Sequence, residues 1–328
     1  MPQPELLVRV VRSGLEESVH LGHLVACDAD GRLTAWVGDP ERVIFSRSSM
    51  KPLQASVSIS AMGEEGRDLT SAEIAVMCAS HNGEPVHVDT VARVLGRGGL
   101  GFDALRCPPG WPLDPEAMGR AGHARRELHN CSGKHAGKLL ASVRAGWGLE
   151  TYLDPNHPLQ QRILDAVLRA TDQDRVEIGV DGCGAPVHGM PLSRMALLYA
   201  RLGKPDRLGN LESFARLATS AMVAEPYLVA GRDRVDTALM EVAPEVVVKV
   251  GAEGLVCAAV LGAGIGIAVK IADGSARAAG PALIHALRQL EIIEDLEVEK
   301  LRVHARPDVL GGGRPVGEMK PDFALRRA

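Results

Sequence analysis

The chain of 328 residues has no run of like charges and no evident basic face, and its formal net charge is −4. Proteins bind a phosphate backbone through clustered lysine and arginine, so we expect no nucleic-acid partner. No apolar stretch reaches the length of a membrane span. Residues 1–5 lack the positively charged start and the apolar core of a signal peptide. We therefore expect a cytoplasmic protein that does not bind membranes.

Close cysteine pairs and internal repeats are also missing. The six cysteines are scattered. In a reducing compartment this pattern indicates buried thiols or metal ligands rather than a disulfide framework. Hydrophobic residues make up 46% of the chain, enough for a large core. Without a low-complexity linker to divide it, we expect residues 1–328 to form a single catalytic unit.

Strand patterns are found near both ends of the chain and helical patterns in the middle. The predicted strands are residues 6–11, 23–27, 33–37, 246–250, 255–261 and 264–271. The predicted helices are residues 53–62, 85–95, 134–143, 158–170, 193–202, 211–223 and 276–290, with a capping box at 70–73. We predict an α/β (α+β) fold with an antiparallel sheet covered by helices. Residues 1–70 and 230–328 form the sheet part, and 71–229 form a helical lobe.

Ser48 and Lys51 form a Ser-x-x-Lys pattern where a predicted strand gives way to a helix. This spacing puts the hydroxyl and the amine on the same face of a helical turn. A lysine that has lost its proton can accept the serine proton, and burial or a second cation promotes that loss. The pattern alone also fits an exposed helix start.

Lysine is rare beside arginine in this chain, yet Lys51, Lys134 and Lys249 lie among small residues, which permit close approach of a ligand. Lys249 interrupts the apolar run 246–250, where an outward-facing strand residue is the alternative interpretation. Ser80 lies at a helix end whose exposed amides could bind a carboxylate or amide substrate. A simple helix-terminating turn is the alternative there.

Cys131 and Lys134 lie in a loop that runs into a helix, and Cys183 lies in another loop of small residues. Two thiolates with one or two nitrogen donors suit tetrahedral zinc. Lone cysteines are more often buried apolar fillers, and lysine binds a metal only as the neutral amine. Both interpretations stay open on the pattern alone.

Seven segments, in order along the chain, resemble the asparaginase II family of inducible rhizobial-type L-asparaginases. The segments are residues 26–28, 47–52, 77–81, 130–135, 181–183, 249–254 and 269–274. The resemblance implies a fold similar to those of serine β-lactamases and serine-dependent glutaminases. It also implies a homodimer. The residues Asn82 and Gly83 depart from the family pattern, which leaves the detailed shape of the pocket open.

The resemblance also implies site residues. The catalytic pairs are Ser48 with Lys51 and Ser80 with Lys249. The zinc ligands are Cys131, Lys134 and Cys183, and the partners of substrate and metal are Arg47, His135 and Asp181. The implied reaction is hydrolysis of L-asparagine to L-aspartate and ammonia through a covalent acyl-enzyme. The alternatives are a penicillin-recognising serine hydrolase or peptidase, and a non-catalytic protein that binds asparagine or zinc. The Ser-Asp-Asn and Lys-Thr-Gly motifs that are typical of penicillin-recognising enzymes are missing from this sequence.

Overall fold

A computed structural model describes residues 3–328, which form twelve strands and thirteen α-helices. The strands are β1 (Glu5–Arg12), β2 (Leu15–Asp28), β3 (Leu33–Val37), β4 (Val43–Phe45), β5 (Glu177–Val180), β6 (Pro186–Pro191), β7 (Val246–Gly251), β8 (Leu255–Val260), β9 (Ile265–Ile271), β10 (Asp308–Gly311), β11 (Arg314–Pro321) and β12 (Arg326–Arg327). The helices are α1 (Lys51–Ala61), α2 (Ser71–Met77), α3 (Pro85–Gly96), α4 (Pro115–Arg120), α5 (Ser132–Arg144), α6 (Pro158–Thr171), α7 (Leu192–Gly203), α8 (Glu212–Ala224), α9 (Pro226–Val229), α10 (Val235–Val242), α11 (Ala279–Gln289), α12 (Asp295–Lys300) and α13 (Arg302–Ala305).

The large sheet is antiparallel and joins strands from both ends of the chain. Its order is β10-β11-β1-β2-β9-β8-β7, and β3 pairs with β2 and with β12. The C-terminal half of β2 pairs with β9, from Gly22 opposite Ile271 to Asp28 opposite Ile265. The predicted fold class, an antiparallel sheet combined with many helices, is therefore confirmed.

The chain divides into two compact units. The first comprises Met1–Ser49, Met190–Lys204 and Ala238–Ala328, and it contains the large sheet. Helix α7 packs against β2, β8 and β9, and α11 packs against β1, β8, β9 and β11. All six residues of β8 are buried. A strand without an exposed position has both faces covered, so β8 carries no solvent-facing side.

The second unit comprises Met50–Gly189 and Pro205–Thr237 and is mainly helical. Helix α1 packs against α5, α6 and α8, and its first nine residues, from Lys51 to Ile59, are all buried. A helix buried all round forms the centre of a core rather than a surface layer. The only capping box predicted from sequence is also found, since Thr70 and Glu73 cap α2 reciprocally. No helix within residues 3–328 combines the length and the apolar character needed to cross a bilayer.

The last part of the chain carries elements that the sequence patterns missed. Strands β10 and β11 pair antiparallel, and β11 also pairs with β1. In the second unit, the short strands β5 and β6 pair as well. All four residues of β5 lie in exposed or half-buried positions. The strand has only four residues, so the alternation of Ile178 and Val180 is too short to stand out as a sequence pattern.

Gly266 in β9 allows α7 to lie directly on the sheet. A Cβ at this position would lie 2.0 Å from the Ala196 carbonyl oxygen and 2.2 Å from the Ala200 nitrogen. We expect Gly266→Ala to lower the free energy of unfolding by about 2 kcal/mol or more, because a helix backbone cannot move aside as a side chain does. Urea denaturation followed by circular dichroism measures the change.

The matched control is Gly96→Ala at the end of α3, where an added Cβ meets nothing within 4 Å. We expect this variant to keep the midpoint of the parent or to raise it slightly. Equal midpoints for the two variants would contradict the proposed tight contact between β9 and α7.

Candidate active site

The residues before α1 form a 3₁₀ turn, Arg47–Met50, that is firmly anchored in the first unit. Arg47 has a φ of 44°, a left-handed conformation that few residues other than glycine adopt. The buried Ser49 hydroxyl donates a hydrogen bond to the Lys249 carbonyl (3.0 Å), and the Tyr199 hydroxyl donates one to the Ser49 carbonyl (2.7 Å). Ser48 is half-buried, and the hydrogen bonds of the adjacent Ser49 hold the backbone of Ser48 in place.

Lys51, the first residue of α1, is completely buried in the second unit. Its Nζ lies 2.5 Å from the Ala79 carbonyl oxygen and 2.8 Å from Ser80 Oγ. Burial lowers the pKa of Lys51, and the charge of Lys134 acts in the same direction, while Cys131 and Cys183 oppose them. A lysine with a lowered pKa that contacts a hydroxyl has the arrangement of a general base.

The segment that carries Ser80 is held in place by the loop after α9. The Ser80 amide donates to the Val229 carbonyl (2.9 Å), and the Asn82 amide donates to the Ala230 carbonyl (2.8 Å). Arg234 donates through one guanidinium nitrogen to the Ser80 carbonyl (3.2 Å) and to Asn82 Oδ1 (3.0 Å). Asn82, where the chain departs from the family pattern, is therefore buried and serves to fix Ser80 in position.

His81 connects the same segment to the start of α5. Its Nδ1 accepts a hydrogen bond from the Gly83 amide (3.1 Å), so the ring proton of the neutral form lies on Nε2, 2.9 Å from Ser132 Oγ. Burial and the nearby His87 keep the pKa of His81 well below its usual range. The ring therefore stays neutral and acts as a fixed structural donor.

Cys131, Lys134 and Cys183 form one buried cluster in the second unit. Lys134 Nζ lies 2.9 Å from Cys183 Sγ. A hydrogen bond from Cys131 lowers the pKa of Cys183, and Lys134 lowers it further although burial opposes them. The same contact, together with burial, raises the pKa of Cys131. Burial disfavours the charge on Lys134, but Cys183, Cys131 and Asp181 together raise its pKa. The cluster is thus a thiolate neutralised by an ammonium.

His135 lies beside this cluster. The Tyr152 hydroxyl accepts a hydrogen bond from the Arg106 amide (2.9 Å) and lies 2.7 Å from His135 Nδ1. The other ring nitrogen, Nε2, is buried, and Cys183 interacts with the ring and opposes the effect of burial on its pKa. Burial lowers the pKa of His135 to about 4, so this nitrogen belongs to an uncharged ring.

These side chains fit a bound metal ion on chemical grounds. Two thiols, one of them with a strongly lowered pKa, and an imidazole are donor types that zinc prefers, and Lys134 would join them only as the neutral amine. In the part of the chain that is described, no three side chains drawn from His, Cys, Asp and Glu are arranged to bind a metal. The ligand set implied by the family resemblance therefore depends on Lys134. Asp181 lies at the edge of the cluster, 3.7 Å from Cys183 Sγ through Oδ2.

Lys249 is completely buried in β7, which excludes the outward-facing alternative. Its Nζ donates to the Val250 carbonyl (2.9 Å), and its strand pairs with β8 along its whole length. Arg47 lies 4.0 Å from the Glu253 carboxylate, in the turn that follows β7. The first unit thus brings together Arg47, Ser49 and Lys249.

The structure shows a contact between Lys51 and Ser80, and the pairs that the family resemblance implies are Ser48 with Lys51 and Ser80 with Lys249. In the second unit, Lys51 and Ser80 share an electrostatic environment with Cys131, Lys134 and Cys183. Arg234 and Tyr152, which position Ser80 and His135, were not predicted. They lie far along the chain from the residues that they contact, and no local motif marks them.

Sequence reasoning also missed Lys138, one turn after Lys134 in α5. It is completely buried, and Nζ lies 3.4 Å from Gln160 Oε1. Burial and the charge of Lys134 lower the pKa of Lys138 to about 7. The spacing of Lys134 and Lys138 was visible in the sequence, but nothing there shows that both face the core.

Comparison with known proteins identifies the family of the chain. The family model of L-asparaginase II matches residues 8–321. Among solved structures, the chain is similar to a β-lactamase of Mycobacterium bovis, with 13% identity and a TM-score of 0.42 over 87% of this chain and 95% of that one. It is also similar to a Bacillus glutaminase, with 15% identity and a TM-score of 0.46 over 82% and 91%. A Bacillus subtilis glutaminase, in covalent complex with 5-oxo-L-norleucine, gives 15% identity and a TM-score of 0.39 over 82% and 88%. No curated protein matches the chain.

The lowered pKa of Lys138 predicts a pH-dependent cost in stability. Its folded pKa of about 7 lies below the ordinary value of 10.5, so between these pH values the unfolded chain binds more protons. The cost is full below pH 7 and disappears above the ordinary pKa. We expect Lys138→Met to raise the free energy of unfolding at pH 7 by roughly 3 kcal/mol, and much less at pH 10. Urea denaturation at several pH values measures this difference.

Lys300→Met serves as the control, because Lys300 is exposed. Its effect on stability should be small and independent of pH. A Lys138→Met variant whose effect does not change between pH 7 and pH 10 would show that this lysine keeps its ordinary pKa.

Proposed function

Because the chain belongs to the L-asparaginase II family, which matches it over residues 8–321, we propose that it hydrolyses L-asparagine to L-aspartate and ammonia. Membership of this family makes the chain a hydrolase of amide bonds. The observation that carries the proposal furthest is the contact between the buried amine of Lys51 and the Ser80 hydroxyl. An uncharged amine beside a serine supports acyl transfer through an ester intermediate.

Ser48 is the proposed nucleophile and Lys51 its base. The two residues are three apart in the sequence, a spacing that puts two side chains on one face of a helical turn. Lys51 accepts the Ser48 proton while Oγ attacks the side-chain carbonyl carbon of asparagine. The C–N bond breaks, the nitrogen leaves as ammonia with a proton from Lys51, and a β-aspartyl ester remains. Water then hydrolyses this ester to aspartate and restores the serine.

Ser80 and Lys249 form the second proposed pair. Ser80 holds Lys51 through its hydrogen bond and passes a proton to the leaving nitrogen. The proposed role of Lys249 is that of a second cation in the site, because a nearby cation disfavours the protonated form of a lysine. Backbone amides of the turn Arg47–Met50 supply the contacts to the developing oxyanion, which typically account for a large share of the rate enhancement.

Recognition of the free amino acid needs one group for each end of its backbone. Arg47, held by its left-handed conformation, is the proposed partner of the α-carboxylate. Asp181 and His135 are the proposed partners on the side of the thiol cluster. A guanidinium and a carboxylate together select a zwitterion over a peptide-bound asparagine.

Cys131, Lys134 and Cys183 are the proposed zinc ligands, with His135 beside them. A bound zinc ion would supply a fixed positive charge that orients the substrate and the Asp181 loop. The chain itself already stabilises a thiolate at Cys183 with the ammonium of Lys134, and an ion would take over that neutralising role. The predicted homodimer and the predicted cytoplasmic location remain predictions from sequence.

Single serine variants test the mechanism. We expect Ser48→Ala to abolish ammonia release from asparagine, because no other hydroxyl is proposed to form the ester. Ser80→Ala should lower kcat by a factor of about 10²–10⁴, as for loss of one proton-transfer group. The measurement is ammonia production from asparagine, glutamine and a β-aspartyl peptide, combined with mass spectrometry of the trapped acyl-enzyme.

Ser58→Ala is the control, because Ser58 is a buried serine of α1 whose hydroxyl only bonds the Gln54 carbonyl. An ester found on Ser80 in the Ser48→Ala variant would assign the role of nucleophile to Ser80 instead of Ser48. A parent protein that binds asparagine, shown by a raised melting temperature, and releases no ammonia would be a binding protein instead.

Metal analysis tests the zinc site without reference to activity. We expect about one zinc ion per chain in the parent protein and a large loss in Cys183→Ser, since one thiolate ligand is removed. Cys27→Ser is the control, because Cys27 is a buried thiol in the first unit, with burial raising its pKa to about 12. Zinc that is equally absent from the parent and from Cys183→Ser would contradict the proposed site.

A further inference from the structure

Apart from the proposed catalytic residues, the first unit contains a polar cleft of about 310 Å³ that is lined by four titratable side chains. They are His23, Asp39, Arg42 and Lys270. Residues of β2, β4 and β9 and the loop between β3 and β4 contribute to its walls. A cleft of this volume lies at the lower end of the range of small-molecule sites. None of these four residues belongs to the proposed catalytic machinery.

His23 provides a neutral donor to this cleft. The side chain is nine-tenths or more buried, with 4% exposure, and its Nδ1 accepts a hydrogen bond from the Asp39 amide (2.9 Å). The proton of the neutral ring therefore lies on Nε2, which has no hydrogen-bond partner in the part of the chain from residue 3 onward. Burial lowers the pKa of His23, and the charges of Arg42 and Lys270 act in the same direction while Asp39 and Glu5 oppose them.

Arg42 and Lys270 provide the positive charge. Arg42 is exposed, and its guanidinium makes no hydrogen bond or ion pair with residues 3–328. Lys270 Nζ donates to the Glu253 and Ile271 carbonyls, both at 2.6 Å, which leaves one of its three protons for a ligand. Two charged donors and one neutral donor favour carboxylate groups.

Asp39 adds a negatively charged group to the cleft. Its side chain is 7% exposed, and one oxygen accepts a hydrogen bond from the Glu41 amide (3.0 Å). The second oxygen has no hydrogen-bond partner among the described residues. A carboxylate oxygen that lines the cleft and has no donor favours a cationic or N–H group as its partner. The four side chains together carry a net charge of +1 when His23 is neutral.

We propose that this cleft binds an acidic α-amino acid, a ligand of net charge −1 with two carboxylates and one ammonium. Arg42, Lys270 and the Nε2 proton of His23 bind the carboxylates, and Asp39 binds the ammonium. L-Aspartate, the product of the proposed reaction, belongs to this class, but the binding site itself does not depend on that reaction. The cleft is thus a second site, separate from Ser48 and Lys249 in its residues.

Calorimetric titration of the full chain with L-aspartate and with succinate tests this site. We expect Arg42→Gln to weaken aspartate binding by about tenfold or more, as for loss of a charge-assisted hydrogen bond. Arg314→Gln, a change at another exposed arginine of the same unit, should leave binding unchanged. Asp39→Asn keeps the acceptor for the Glu41 amide and removes the charge. It should weaken aspartate binding at least about tenfold and not weaken that of succinate, which lacks an ammonium.

Aspartate can also occupy a catalytic site, so the number of sites must be fitted. The proposal predicts a binding event that Arg42→Gln removes while ammonia release from asparagine is retained. Aspartate binding that is equal in the parent and in Arg42→Gln would overturn the proposal. Equal weakening of succinate and aspartate in Asp39→Asn would overturn the assignment of the ammonium to Asp39. Failure of ammonia release in the parent protein would refute the proposed function and leave the binding result intact.

Discussion

The burial of Lys51 without a carboxylate partner is the constraint on which the proposed chemistry depends. Its Nζ contacts a carbonyl oxygen and a hydroxyl, and neither can neutralise an ammonium. Burial disfavours the charged form and the charge of Lys134 acts in the same direction, so the pKa of Lys51 is lowered although Cys131 and Cys183 oppose the shift. Helix α1 enforces this burial, because nine consecutive residues from its start lie in the core of the second unit.

Three buried lysines of the second unit differ because of their neighbours. Lys134 contacts the Cys183 thiolate, and its pKa is raised, whereas the pKa values of Lys51 and Lys138 are lowered. Burial acts on all three in the same direction, and only for Lys134 do Cys183, Cys131 and Asp181 together outweigh it. One thiolate thus supports one ammonium, and the other two lysines yield their protons more easily. This division supplies both a fixed cation and a base within one small core.

Sequence patterns predicted the long, regular elements well. The predicted helices 85–95 and 158–170 correspond to α3 and α6 within one residue at each end, because both combine an early proline with an amphipathic pattern. Strands β7, β8 and β9 were predicted because their apolar runs are largely buried on both faces. Strands β5 and β10 were missed, since they have only four residues each and few buried positions.

Prediction of the site depended on motifs, and its limits follow from that. Lys51 and Ser80 were each identified, but their contact was not, because spacing along the chain reports only on neighbours within a turn. Arg234 approaches Ser80 from 154 positions away in the sequence. Lys138 lies in an unremarkable stretch, and only tertiary packing shows that it is buried. Such contacts need the folded chain and cannot be read from local patterns.

The strand order of the large sheet has a consequence for biosynthesis. The hairpin of β1 and β2 leaves the ribosome before its outer neighbours, β9 and β11, which begin at Ile265 and Arg314. At roughly 5–20 residues per second, the hairpin waits on the order of 10–50 s for β9. Unpaired strand edges recruit other chains, and charged side chains prevent this. Ion pairs of Arg9 with Glu16 and of Arg12 with Glu17 lie on the waiting strands, so the nascent hairpin carries its own protection against aggregation.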